Sequence, residues 1–485
     1  MKYKIAQLLT EYKITGINFN SKKIKKGEAF FAIKGLSFDG NNYVKEALQS
    51  GAALIFSDSE FYKNREDLPI IYVEDVRTAL TIAAEVFYPK NPENLIAVTG
   101  TNGKTSVVSY CQQLFTLLGK KSASLGTIGL VCSKQEITDK FNDEQYKALT
   151  STDILTFRQI VDYLAAHDIN SLAFEASSHG LEQKRLGNLT VQAAAFTNFS
   201  QDHLDYHGTM DSYLEAKLKL FSNHLRKDGL AVISSDIAEI DRIKDFLSQR
   251  NIDHLTVGKT GEVKIYSADQ SISGQNIVFS YQGKNYNFKT EIIGSFQASN
   301  LLIAASLVCK FGFSLDEIIE KIPHVKAVKG RLDRVTASSD PFQVFVDYSH
   351  TPESLEKALI ELKKIKTARD SRLVVVFGCG GNRDASKRPL MGKIADIHAD
   401  IKIVTDDNPR FEDAAAIRSQ IIAAVPSAKE IGDRRLAIIS AVNMLEEGDI
   451  LLIAGKGHED YQIIGDKKIS LDDFEIAKEA LENKI

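Results

Sequence analysis

"LIAVTGTNGKTS", residues 95–106, runs from an apolar stretch through two glycines into a polar segment. The apolar half reads as a buried strand. Val107, Cys111, Leu114, Phe115 and Leu118 then recur at helical spacing until Gly119 closes the pattern. Strand, turn and helix make a βα unit, the building block of a parallel sheet. The turn carries Gly100, Thr101, Asn102, Gly103, Lys104, Thr105 and Ser106. Backbone amides at such a helix start cradle phosphate oxygens, a lysine placed like Lys104 reaches the terminal phosphates of ATP, and a hydroxyl placed like Thr105 meets magnesium. The loop departs from GxxxxGK(S/T) at its first glycine, where Val98 stands. An ordinary glycine-rich turn is the alternative; the agreement of GKT with its strand and helix argues against it.

Outward from this unit the chain separates into three segments, as 485 residues at about 100 to 200 per domain allow. Up to residue 90, short apolar runs such as "AFFAI" and "AALIFS" alternate with polar loops, and "YPKNPENL" is a connector. Residues 1–90 are therefore expected to form a smaller α/β domain. "SLAFEA" and "VQAAAF" extend the central sheet, while "VKIYSA", "NIVFSYQG" and "NYNFKTEIIG" add a β-rich portion, which gives a central α/β phosphate-loop domain over 91–330. After "VKGRLDRV", the runs "FQVFV", "RLVVVF", "IKIV" and "ILLIA" alternate with helical stretches, so 331–485 reads as a third domain built on a parallel sheet.

Composition narrows the function. With 44% hydrophobic and 26% charged residues the chain is an ordinary globular protein, and its net charge of -4 offers no basic face for nucleic acid. The short Lys22 to Lys26 run reads as a solvated turn. Cys111, Cys132, Cys309 and Cys379 lack CxxC spacing, which fits a reducing compartment without a zinc site. No export signal and no run of ~18 apolar residues is present, so the protein is expected to be cytoplasmic, with no membrane span.

Two further constellations carry chemistry. Glu175 closes "SLAFE", and "TNFSQDHLDYHGTM" brings Asp202, His203, Asp205 and His207. A carboxylate at a strand end with a nearby histidine can hold a magnesium ion beside a phosphate loop; surface polarity is the alternative. Lys217, on spacing alone, is an ordinary helix lysine. In the third segment four strands each end in a polar or glycine-rich cluster: "DYSH" at 347, "GCGGNRD" at 378, "DDNPR" at 406 and "GKGHE" at 455. Ligands of open α/β sheets bind outside the carboxyl ends of strands, so the clusters are expected to share one site. Arg383 and Arg410 set against Asp407 and Glu459 suit a ligand with both carboxylate and ammonium groups, an amino acid. Inter-domain salt bridges are the alternative.

Taken in order, "GTNGKTS", "EASSHGLEQKR", "TNFSQDHLDYHGTMDSYLEAK", "VKGRLDRV", "VDYSHTPESLEKAL", "GCGGNRDASKRPLMGKIA", "DDNPR" and "AGKGHEDYQ" resemble the Mur ligases over nearly the whole chain. The resemblance implies an N-terminal domain binding a UDP-sugar, a central ATPase domain and a C-terminal Rossmann-like α/β domain bringing an amino acid. It implies ATP-driven amide formation through an acyl phosphate, most closely in the branch that adds the third residue of the peptidoglycan stem peptide to UDP-MurNAc-L-Ala-D-Glu. It also makes Lys104, Glu175, His203 and Lys217 the catalytic set, with Thr105, Glu175, His203 and a CO2-derived carbamate on Lys217 around two magnesium ions. Asn300, Arg331 and Asp347 match further ATP contacts. Phe19, Ser21, Thr150, Ser151, Ser177, Gln183 and Arg185 match contacts to the UDP-MurNAc peptide. Arg383, Asp407, Asn408, Pro409, Arg410, Gly455 and Glu459 match the amino-acid site, in which a DNPR sequence accompanies meso-diaminopimelate.

Gln297, Thr152, Asn382 and Ala414 stand where the family commonly has asparagine, proline, aspartate and proline. None of these changes removes a charged catalytic group. A monomer is expected. The same ligase using L-lysine or another diamino acid, a folate polyglutamylating relative, and a phosphate-loop ATPase acting as a switch or assembly protein stay open as alternatives.

Overall fold

Ile96, Ala97 and Val98 are 0% exposed, so the run read as a strand is covered on both faces. That double burial is what a parallel strand flanked by helices requires. In the computed structural model, which describes residues 2–35, 38–65, 67–141, 152–366 and 370–484, this strand lies inside the central sheet. The protein is a three-domain α/β chain that forms two compact units. One comprises residues up to Leu255 with Ser306–Phe313, the other Thr256–Ala305 with Ser314 onward.

The first unit opens with a four-stranded parallel sheet, β1 (Ile17–Asn18), β2 (Ala29–Phe31), β3 (Leu54–Ser57) and β4 (Ile70–Tyr72), in sequential order. Phe31 and Phe56 stack on one face at 4.7 Å. The central sheet follows with β5 (Asn94–Thr99), β6 (Ser122–Gly126), β7 (Gly129–Cys132), β8 (Ser171–Glu175), β9 (Val191–Phe196) and β10 (Leu225–Ser234). Across this unit they run β10-β9-β5-β8-β6-β7, parallel except for the β6–β7 hairpin. The connector is held by one buried arginine. Arg158 donates from Nη1 to Asn91 Oδ1 at 2.7 Å, and from Nη2 to the carbonyls of Tyr88 and Lys90. Ile154 and Leu155, beside it in the central domain, join the hydrophobic core of the first. At Gly187 an added Cβ would lie 2.9 Å from the side chains of Ile154 and Thr81, so the backbone of the central domain lies directly on a side chain of the first there.

β11 (Asp253–Gly258) contains the division between the units. In the second unit, β12 (Val263–Ser271), β13 (Gly274–Tyr281) and β14 (Lys284–Thr290) form an antiparallel meander. Glu361, on the helix Pro352–Lys364, ties this meander down by accepting from Gln270 Nε2 at 2.5 Å and Ser295 N at 2.6 Å. The C-terminal sheet has β15 (Asp333–Arg334), β16 (Gln343–Asp347), β17 (Leu373–Phe377), β18 (Ile401–Val404), β19 (Lys429–Glu430) and β20 (Ile450–Ala454). Their order is β15-β16-β20-β17-β18-β19, parallel but for β15.

Alternation along these strands sends Val344, Val374, Val376 and Leu451 to one core, and Phe345, Val375, Phe377 and Leu452 to the other. Because β20 returns between β16 and β17, the loops after the strands open around one crevice. A hairpin of β21 (Tyr461–Ile464) and β22 (Lys467–Ser470) closes this end. Behind it Arg434 and Asp473, both fully buried, pair at 2.6 Å and pin the last helix to the sheet.

Candidate active site

The phosphate loop has the shape its glycines allow. Gly100 has φ +141°, and an added Cβ there would sit 2.0 Å from Thr197 Oγ1, so the loop lies directly against the end of β9. Gly103, at φ +83°, turns the chain into the helix Lys104–Leu117, whose first turn presents its amides at the mouth. Asn198 fixes the loop from the other side, accepting from Asn102 N through its side chain at 2.6 Å and from Thr101 N through its backbone at 3.0 Å. Lys104 folds back over the loop, its Nζ donating to the carbonyls of Gly100 at 3.0 Å and Thr101 at 2.8 Å. Thr105 and Ser106 are buried in the same turn.

Lys217 arrives at this loop from the helix Met210–Lys219. It is 1% exposed, donates to Gly100 O at 2.7 Å and lies 4.3 Å from the centre of the Tyr213 ring. Among the described residues no carboxylate pairs with it. Burial, reinforced by the charge of Lys104, holds its amine well below the ordinary lysine range. Glu175, at the end of β8, is buried and accepts from Thr127 N at 2.7 Å and Thr127 Oγ1 at 3.1 Å. Gly126 makes this possible, since a Cβ there would lie 2.2 Å from Glu175 Oε1.

His203, at φ +53°, sits on the loop after β9 with Nε2 3.5 Å from Asp202. Its ring packs against His179 at 4.7 Å, and burial lowers its pKa. Desolvation, followed by the charges of His203 and His207, brings His179 down to about 4. Lys104, Thr105, Glu175, His203 and Lys217 thus share one unit and the carboxyl ends of its central strands. The donor set of hydroxyl, carboxylate and neutral imidazole fits magnesium, whereas Lys217 as an ammonium does not.

Beside the first domain, a cavity of about 560 Å³ is lined by Phe19, Ser21, Gln183 and Arg185. Gln183 accepts from Arg185 Nη2 at 2.8 Å and donates to Tyr206 Oη at 3.3 Å. Arg77, Asn20 and Tyr43 also line this cavity and were missed in the sequence, where isolated residues carry no pattern, and so does Lys22, which the sequence placed in a solvated turn. Ser177 does not line it; its hydroxyl caps the helix Ser178–Glu182. Thr150 and Ser151 lie outside the described residues.

In the second unit Asp347 ends β16, buried, and accepts from Leu332 N and Ser349 N. Burial raises its pKa. Arg331 lies over the Tyr348 ring at 4.7 Å, and Asn300 donates to Gln297 Oε1 at 2.9 Å, a contact made by the side chain that departs from the family pattern.

The four strand-end clusters do meet. A Cβ on Gly457 would lie 2.7 Å from Tyr348 Cβ, one on Gly378 2.2 Å from Thr405 O, and one on Gly381 2.0 Å from Pro409 O. Gly455 adjoins Asp407. Arg410, half-buried at φ +53°, donates from Nη1 to Gly381 O at 2.9 Å and to Asn408 O at 3.4 Å. Arg383 is exposed, and among the described residues it is Lys456 that stands within ion-pair distance of both Asp407 and Glu459.

Three family models match the chain: Mur ligase family, catalytic domain, over residues 13–88; Mur ligase middle domain over 98–308; and Mur ligase, glutamate ligase domain, over 330–457. A relative from Rickettsia conorii (strain ATCC VR-613 / Malish 7), named UDP-N-acetylmuramoyl-L-alanyl-D-glutamate--2,6-diaminopimelate ligase, is 52% identical over 99% of this chain and 98% of its own. The chain belongs to the Mur ligase family.

A solved structure of a ligase of the same name superposes with a TM-score of 0.69 at 30% identity, covering 97% of this chain and 95% of that one. MurF from Thermotoga maritima in complex with ADP shares the fold, with a TM-score of 0.63 at 18% identity over 98% of both chains. In this Mur ligase the phosphate loop tolerates no side chain at Gly100. Gly100→Ala must move the loop off Thr197 or strain it by about 1 to 3 kcal/mol. Calorimetric titration with magnesium and ATP is expected to show about a tenfold or greater loss of affinity with the circular dichroism spectrum unchanged, and wild-type affinity would contradict the loop's role.

Proposed function

We propose that this Mur ligase uses ATP to join meso-diaminopimelate to the D-glutamyl carboxylate of UDP-MurNAc-L-Ala-D-Glu, an amide-forming step of peptidoglycan biosynthesis. The reading is supported by the name its 52% identical relative carries and by the chemistry of the residues gathered at the strand ends. The observation that carries the choice of amino acid is Arg410. Its two hydrogen bonds use Nη1 alone, so Nε and Nη2 have no partner among the described residues. Diaminopimelate differs from lysine by a distal carboxylate, which a guanidinium takes up in a paired, charge-assisted bond. Lysine leaves that guanidinium unmatched, a loss of about 2 to 5 kcal/mol by analogy with truncated charge pairs.

In the reaction the D-glutamyl carboxylate attacks the γ-phosphorus of ATP, the bond to the β-phosphate oxygen breaks, and ADP leaves an acyl phosphate behind. The neutral amine of diaminopimelate adds to the acyl carbon, phosphate departs with the bonding pair, and the amine proton passes to solvent. Phosphoryl transfer asks mainly for positioning and charge neutralisation. Lys104 supplies a mobile cation that exchanges two loop carbonyls for phosphate oxygens. Loop amides from Gly100 to Thr105 hold the phosphates. Phe19, Ser21, Gln183 and Arg185 receive the UDP-MurNAc peptide.

Two magnesium ions, when bound, neutralise the phosphate charge. Thr105, Glu175 and His203 would hold them, together with a carbamate on Lys217. The amine of Lys217 is enclosed, and no carboxylate among the described residues forms an ion pair with it, a costly place for a charge. Addition of CO2 forms an N–C bond, releases a proton and converts the amine to an anionic oxygen ligand. No helix among the described residues is long and apolar enough to cross a membrane, and the protein acts in this reading as a cytoplasmic monomer on soluble substrates.

Phosphate release by the purified protein with ATP, magnesium and UDP-MurNAc-L-Ala-D-Glu is expected with meso-diaminopimelate and only slowly with L-lysine; release independent of any amino acid would sink the ligase reading. Arg410→Ala is expected to lower kcat/KM for diaminopimelate by about thirtyfold or more while changing the slow use of lysine little. Equal losses on both would make Arg410 structural. Lys217→Ala is expected to abolish turnover, with short carboxylates such as acetate restoring part of it, and full activity without them would remove the carbamate.

A further inference from the structure

The amino-acid crevice contains a buried cation that no motif match assigned. Lys456, in "GKGHE" between Gly455 and Glu459, is 0% exposed. Its Nζ donates to Asn408 Oδ1 at 3.1 Å and to Glu459 Oε2 at 3.2 Å, and stands 3.9 Å from Asp407 Oδ1. Asn408 is used up by the same cluster. Its Oδ1 also accepts from Ile463 N at 2.9 Å, and its Nδ2 donates to Glu459 Oε2 at 3.0 Å. Glu459 Oε2 therefore accepts twice and is fixed, while Oε1 makes no hydrogen bond among the described residues. Asp407 Oδ1 is buried without a hydrogen bond among the described residues.

An orphaned buried carboxylate oxygen calls for a donor. Two carboxylates side by side also repel unless a cation separates them. Lys456 supplies that charge: it bonds Glu459 through Oε2 and stands 3.9 Å from Asp407 Oδ1, too far for a hydrogen bond, so that oxygen still calls for a donor from a further cation. With it the cluster carries one net negative charge, the complement of a single ammonium; without it the cluster carries two.

We propose that Lys456 is the positioning residue of the amino-acid site: it orients Asn408 and Glu459 and neutralises one carboxylate, so that Glu459 and Asp407 bind an ammonium group of the incoming diamino acid. Asn408 thereby becomes a brace within the cluster. The inference rests on the proposed function for the identity of the ligand. It goes beyond that reading in naming a residue that touches no substrate yet sets the affinity for only one of three.

The test measures KM for all three substrates in the phosphate-release assay, using whichever diamino acid the wild type accepts; wild-type failure with every amino acid would count against the function and the inference together, whereas the variants below bear on Lys456 alone. Lys456→Met is expected to raise KM for the diamino acid about tenfold or more, with KM for ATP and the UDP-dipeptide within about twofold. Adding Glu459→Gln removes the carboxylate that Lys456→Met leaves uncompensated. The double variant is therefore expected to lose no more than Lys456→Met alone, since residues acting as one unit are non-additive. Should Lys456→Met fail to fold, Lys456→Gln, which keeps a donor but no charge, is carried through the same cycle. An unchanged KM for the diamino acid, losses that multiply across the cycle, or a parallel rise in all three KM values would each overturn the proposal.

Discussion

Around the strand ends in each unit, glycine backbone lies against neighbouring backbone or side chains more closely than a Cβ would permit. Gly100 lies against Thr197 and Asn198, Gly126 under Glu175, Gly378 against Thr405, Gly381 against Pro409, and Gly330 against Gly457 and His458. These contacts decide where everything else can be. With a Cβ at Gly100 the phosphate loop would stand away from β9, and the carbonyl that receives both Lys104 and Lys217 would move with it. With a Cβ at Gly457 the loop holding Lys456 and Glu459 would lift from Tyr348. Parallel sheets gather loops at one end, and glycine lets those loops close into sites.

Charge is treated differently in the framework and at the sites. Arg434 and Asp473 are fully enclosed and satisfy each other with two hydrogen bonds, and Arg158 ends on the connector through neutral acceptors. These groups hold elements together and present nothing outward. At the strand ends the accounts stay open among the described residues: Lys217 has a carbonyl and a ring but no ion-paired carboxylate, Arg410 has two carbonyls, and Asp407 has an oxygen without a donor. Burying such groups is unfavourable unless a ligand or a modification completes them.

Local signals account for most of what could be read in advance. The β-branched runs became β5, β8, β9, β12, β13, β14, β16, β17, β18 and β20 because each is bounded by turn residues and buried on at least one face. The short strands β1, β4, β15 and β19 have only two or three residues and leave no periodic trace. Lys456 was passed over because a lysine flanked by glycines looks like a solvated loop. It is bonded there by Asn408, 48 positions earlier in the chain, and by Glu459 on its own loop. His179 was likewise part of a quoted motif, but its packing on His203 needs the loop after β9 to fold back over the helix Ser178–Glu182.

What the sequence determined by itself was therefore the alternation of strand and helix, the glycines that permit tight turns, and the kinds of charged group each turn carries. All of these depend on neighbours within a few positions. The tertiary structure alone decided which of those charges are answered. Arg410 and Glu459 are separated by 49 positions in the chain, and whether either finds its counter-charge inside the protein is settled by the crossing of β20 between β16 and β17. Electrostatic pairing acts through space over a few ångströms, and sequence distance says nothing about it until the sheet has closed.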